Sequence, residues 1–216
     1  MTFILNGTTG IATVDGSVSA PSQRGQDSNS GISYAADTIK FSTGGVERMS
    51  ITNSGVTGVG GITYADSWRV NTEFTASAGS NNVTANWERD DSDFQLIGTG
   101  LSHNGSGIFG FQETGKYLFM NRFVAYQSSS RRYVGTKLLI SSSGIGGSYT
   151  TVTESFDAVS ASGSNSFATG GTTKVIDATS TNFYFKIQTT VIDTTVFDCS
   201  STQNRFNFIV IRLGDT

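Results

Sequence analysis

Apolar and polar side chains alternate along this chain in short runs bounded by Gly, Ser, Asn or Asp. That period of two belongs to strands with one face in a core and one near solvent. The clearest run is Phe183, Phe185 and Ile187 interleaved with Tyr184, Lys186 and Gln188. Apolar residues do not recur at helical spacing, so the pattern predicts an all-β protein.

Two runs depart from simple alternation. In Lys116 to Val124, Tyr117, Phe119 and Phe123 fill one face while Leu118, Met120 and Val124 fill the other. In the closing run, Phe206, Phe208 and Val210 share one face and Ile209, Ile211 and Leu213 the opposite one. A sandwich strand has a single face in its own core, so a second apolar face implies either a subunit interface along the inner sheet or a third layer within the chain. No segment looks available to supply that layer. Tyr117, Phe119, Phe123, Phe206, Phe208, Ile209 and Ile211 are therefore the candidate core or trimer-interface residues.

Composition sharpens this reading. Of 216 residues, 36% are hydrophobic and only 14% charged, with 26 Gly and a single Pro. This suits many strands joined by glycine turns and a surface carried by hydroxyls. A net charge of −3 gives no electrostatic reason to expect a nucleic acid or an anionic membrane as partner. The apolar stretch Thr2 to Leu5 is too short for a signal-peptide core or a membrane span, so neither is expected. The one cysteine, Cys199, cannot form an internal disulfide and is expected to be buried and inert, as suits folding in a reducing cytoplasm.

Turn residues interrupt every few positions up to the Gly58 to Gly61 stretch, and longer aromatic-rich strands follow it, which divides the chain into segments 1–60 and 61–216. The first has few large apolar side chains, chiefly Phe3, Ile4, Leu5, Ile32, Tyr34, Ile39, Phe41, Val46, Met49 and Ile51, too few for a private core. Three copies around one axis would bury them and pair exposed strand edges, giving a short intertwined β stalk. Its wording is also familiar: Gly16 to Ser22, Asp27 to Tyr34, Ala36 to Met49 and Ser54-Gly55-Val56 together resemble a module of phage tail-fibre and virion-surface proteins. The likeness covers roughly residues 14–60 and departs from the module's usual aromatic residue at Gln23-Arg24-Gly25-Gln26. It implies an N-terminal segment that docks on the virion.

The second segment carries another likeness. Gly107-Ile108-Phe109, Gly115-Lys116-Tyr117-Leu118-Phe119 and the closing strand Phe206 to Leu213 are similar to the jelly-roll head shared by complement component 1q and tumour necrosis factor, with Gln112 where those heads usually carry Pro. The resemblance implies a ten-stranded, homotrimeric jelly-roll sandwich as the head.

Little in the chain suggests catalysis. The only histidine, His103, lies in the turn-like stretch Leu101 to Ser106 and is expected to be an exposed loop residue. Glu88, Asp90, Asp91 and Asp93 surround Arg89 and could form a calcium loop or a glycosidase pair, but a solvated strand connection is favoured because the EF-hand spacing is missing. The pairs Gly60-Gly61, Gly146-Gly147 and Gly170-Gly171 lack the lysine and helix of a phosphate loop and are read as turns. Arg131-Arg132 is read as a solvated loop end, and Tyr126, Tyr133 and Tyr149 either stack on sugars or sit at subunit contacts. No catalytic residue, cofactor or metal is assigned.

The expectation is a non-enzymatic phage structural protein on the virion surface. It would be a homotrimeric fibre or capsid decoration held by other virion proteins, capsid or tail, through its N-terminal segment. The alternative is a tail-fibre receptor-binding tip that recognises a host cell-surface glycan or protein, with host attachment as its role.

Overall fold

The computed structural model describes residues 15–58, 62–90, 94, 96–128, 130–160 and 166–216. Phe3, Ile4, Leu5, Gly60, Gly61, Asp91 and Asp93 lie outside the described residues. The chain divides into two compact units, Met1–Gly61 and Ile62–Thr216, and the described residues contain strands and no helix.

The first unit holds β1 (Gly16–Ser17), β2 (Ala20–Pro21), β3 (Gln23–Arg24), β4 (Gly31–Ala35), β5 (Thr38–Thr43), β6 (Val46–Thr52) and β7 (Gly55–Thr57). β1 and β2 form a small hairpin, and β3 to β7 form an antiparallel meander in chain order. Its tight turns are written in the residues. Gly44 and Gly45, with φ of 59° and 76°, make the two-residue link between β5 and β6, which calls for positive φ at both positions. The Asp27 carboxylate accepts from the Asn29 amide and the Ser30 hydroxyl, folding the preceding loop so that the Asn29 carbonyl receives the Gly45 amide at 2.8 Å.

The second unit runs through β8 (Ala65–Val70), β9 (Phe74–Ala76), β10 (Gly79–Asn82), β11 (Trp87–Arg89), β12 (Ser102–His103), β13 (Ile108–Gly110), β14 (Gly115–Gln127), β15 (Arg131–Ser141), β16 (Thr150–Val159), β17 (Ser166–Gly170), β18 (Thr173–Ala178), β19 (Tyr184–Val191), β20 (Thr195–Phe197) and β21 (Asn207–Gly214). One sheet runs β12-β13-β19-β15-β16, with β10 beside β19; the other runs β11-β8-β21-β14-β20-β9, with β17 and β18 also on β14. Neighbours in both sheets are mostly distant in sequence and every pairing is antiparallel, the pattern of a jelly roll.

The two sheets clasp an aromatic core. Phe208 of β21 is fully buried and meets Phe109 at 4.8 Å, Phe185 at 5.3 Å, Trp87 at 5.4 Å and Phe119 at 5.6 Å between ring centroids. Three of those four contacts are edge-to-face, the arrangement in which a ring's positive rim meets a negative face. Tyr117, Phe119 and Phe123 on β14 and Phe185 and Ile187 on β19 are buried as well, so the even spacing in both strands corresponds to one core face.

Three local readings change. His103 is no loop residue: it pairs across β12–β13 with Phe109, its ring stacked on Phe109 at 4.6 Å and 5.1 Å from Trp68. The turn begins only at Asn104, whose side-chain oxygen accepts the amides of Ser106 and Ile108. Arg131 and Arg132 open the long strand β15 instead of ending a loop. Glu88 and Asp90 do not stand in a solvated connection, because both grip the Arg69 guanidinium, at 2.7 and 2.9 Å.

Candidate self-association surfaces

Among the described residues, each unit has a sheet face on which apolar side chains stay partly or wholly uncovered. In the N-terminal meander, register aligns Tyr34, Ile39, Ile51 and Val56 in one row across four strands, and Ile32, Phe41 and Met49 in a parallel row. Ile39, Ile51 and Val56 are exposed and the others only partly buried. The opposite face carries Ser33, Lys40, Ser50 and Thr57 in one row, the last two hydroxyls 2.7 Å apart. A single sheet with one apolar face needs a second layer to remove that face from water.

The jelly roll repeats the situation on the outward side of the β8–β21–β14–β18 sheet. Ala65, Ile211, Leu118 and Val175 line up across its four strands, and Ser67, Ile209, Met120 and Thr173 form the next row. Val175 is 52% exposed and Leu213, further along β21, 57%. Leu118, Met120, Ile209 and Ile211 are half-buried. A third row, Arg69, Asn207 and Arg122, is polar. Between the second and third rows lies a recess of about 230 Å³ lined by Met120, Arg122, Asn204, Asn207 and Ile209.

The candidate residues thus separate by parity. Tyr117, Phe119, Phe123, Phe206 and Phe208 lie inside the sandwich, while Ile209 and Ile211 lie on the outward face.

Charged groups buried near this face are all held. Arg69, 2% exposed, binds Glu88 and Asp90, and the second Asp90 oxygen accepts the Asn204 amide at 2.7 Å. Asp66, fully buried, accepts a two-pronged contact from Arg89 at 2.8 and 3.1 Å and the Leu101 amide at 2.8 Å. The sequence reading missed Arg69 and Asp66. The available signal was a charge inside the strand Ala65 to Val70, which must find an opposite charge in a neighbouring strand or remain unpaired in low dielectric.

Chemistry is sparse. Among the described residues no three His, Cys, Asp or Glu side chains converge. Of the acidic run, Glu88 and Asp90 are committed to Arg69, and Asp91 and Asp93 lie outside the described residues. Burial lowers the His103 imidazole below its usual value and pushes the Cys199 thiol up to about 12. Burial also raises the hydroxyls of Tyr64, Tyr117 and Tyr149. The aromatic residues Tyr126 and Tyr133 both form surface pairs, with Phe167 and Phe156 respectively, at 5.7 Å.

No family model and no curated protein matches this chain in sequence. Solved structures do match in fold. The crystal structure of murine APRIL at pH 5.0 aligns with a TM-score of 0.52 at 11% identity, over 69% of this chain and 98% of that one. The Eiger TNF structure from S. frugiperda aligns at 0.52 with 12% identity, over 71% of this chain and 95% of that one. The fold is a jelly roll of the tumour-necrosis-factor type.

Proposed function

We infer that this jelly roll is the head of a homotrimeric, non-enzymatic structural protein of a phage particle, displayed at the virion surface as a short fibre or capsid decoration. In this reading the protein is made in the host cytoplasm, its N-terminal unit docks on capsid or tail proteins and forms the stalk, and the head points outward. One observation carries the reading: among the described residues each unit keeps a register row of apolar side chains that its own packing does not fully bury, Tyr34–Ile39–Ile51–Val56 in the first and Ile211–Leu118–Val175 in the second. Further copies of the same chain are the occupants that would cover both at once, and closed symmetry lets them do so without open-ended growth. The phage assignment draws its support from the likeness of residues 14–60 to virion-surface modules.

Light scattering on the purified chain tests the first half: a particle of three 22.9 kDa chains is expected, and a well-folded single chain would overturn it. Image reconstruction of intact particles tests the second half, with three-fold knobs on head or tail expected.

A second reading, a receptor-binding tip for host glycan or protein, is favoured by one observation, the exposed aromatic pair Tyr133–Phe156 on the other sheet.

A further inference from the structure

The outward face of β19, β15 and β16 is mostly polar, with Gln188 bonded to Asn82 and Thr190 to Ser80 through their side chains. One corner breaks that pattern. Phe156 and Tyr133, 43% and 36% exposed, stand with their rings 5.7 Å apart and nearly perpendicular, at 79°. The Lys137 ammonium lies 5.9 Å from the centre of the Phe156 ring and 3.5 Å from the Glu154 carboxylate. Together with Thr190 these four side chains bound a depression of about 420 Å³.

The shape of the corner is built into the backbone. Gly135 pairs with Phe156 on one side and Thr190 on the other, and a Cβ at Gly135 would lie 2.1 Å from the Ser155 carbonyl oxygen and 2.5 Å from the Phe156 ring. The absent side chain is what lets the ring lie low across the strand, as an aromatic residue does over a glycine in a neighbouring strand. The register of β15 against β16 is also irregular between Arg131 and Val134, just where Tyr133 emerges. An aromatic angle, a hydroxyl and an opposed charge pair therefore meet in one shallow space within the usual size range of small-ligand sites, about 300–1,000 Å³.

We propose that this depression binds one pyranose ring of an uncharged glycan. Its ring C–H face packs on Phe156 and Tyr133, where apolar surface is wanted but only one face of the ligand is apolar. Its hydroxyls donate to Glu154 and accept from Lys137, whose side chains line the space. Glu154 neutralises Lys137, so the site holds no surplus positive charge and favours neutral over sialylated or sulfated sugars. The proposal rests on the second reading above and gives it a ligand class and a position; it does not depend on where in the virion the protein sits.

The test is saturation-transfer NMR on the full-length protein with methyl glycosides of glucose, galactose, mannose and N-acetylglucosamine, and with sialic acid as the charged comparison. At least one neutral pyranoside is expected to bind in the millimolar range and sialic acid more weakly. Phe156→Ala should weaken binding about tenfold, the loss of one good stacking contact. Tyr133→Ala, further from Gly135, should do the same and serves if Phe156→Ala misfolds by circular dichroism. Glu154→Gln should shift preference toward the acidic sugar. Absence of transfer to every neutral pyranoside, or binding untouched by both aromatic variants, would overturn the assignment. Solution mass is read on the same samples: intact trimers that bind no sugar remove this site and leave the display role standing, whereas lone chains that still bind sugar do the reverse.

Discussion

Phe208 and Ile209 are consecutive residues of β21 that point to opposite sides of one sheet, Phe208 fully buried among four aromatic rings and Ile209 half-buried on the outward face. The two positions therefore answer different questions. Ile209→Asp or Ile211→Asp places a carboxylate on the surface proposed to meet another copy, where burying it unpaired costs several kcal/mol. The expected outcome is a lower mass by light scattering with an unchanged far-ultraviolet spectrum. Phe208→Ala instead opens a cavity in the chain's own core and should lower unfolding free energy by about 3–5 kcal/mol. If Ile209→Asp left the mass unchanged, the outward face would not be the subunit contact.

The Arg69 guanidinium holds two acidic side chains at the rim of the same sheet. Arg69→Leu keeps bulk and removes the cation, leaving Asp90, itself buried, without its main partner. A loss of about 3–5 kcal/mol in denaturant unfolding is expected, the range for a broken buried pair. Lys40→Met, which removes a surface pair with Glu47, should cost far less, because water already screens that pair.

His103 supplies a pH dependence of defined sign. Burial against Phe109 and Trp68 holds its folded value below the ordinary 6.5, and its Nε2 accepts the Gly107 amide at 3.2 Å. Between the folded and unfolded values the unfolded chain binds a proton that the folded chain refuses. The stabilisation is thus complete above about 6.5 and is lost as pH falls from there through the folded value. Unfolding midpoints measured across that window should show the slope in the natural chain and a reduced one in His103→Phe.

Cys199 is buried, donates its thiol hydrogen toward the Phe197 carbonyl at 3.5 Å, and has a thiol raised to about 12. At pH 8 almost none of it is thiolate, and thiolate is the reactive form. Iodoacetamide should label the native protein negligibly and the denatured protein completely. Rapid native labelling would show that the β20–β21 region opens locally.

Alternation alone made the all-β class legible, and it also separated Phe206, Phe208 and Val210 from Ile209, Ile211 and Leu213, because the pleat forces neighbours to opposite faces whatever else the strand touches. Local chemistry announced the turns: Gly44 and Gly45 sit where positive φ is needed, and the Asp27 carboxylate holds the loop that follows it. The pairing of Arg69 with Glu88 and Asp90, of His103 with Trp68, and of Tyr133 with Phe156 was not legible. Each joins residues from 19 to 35 positions apart, through strand register or, for His103 and Trp68, through the packing of one sheet on the other, which the chain acquires only as its sheets assemble. Which side of each strand faces which is thus a property of the sequence of this protein; which strand lies beside it, and so what every charged or aromatic side chain meets there, was decided by the tertiary fold, since antiparallel pairing between distant segments depends on the whole sandwich closing.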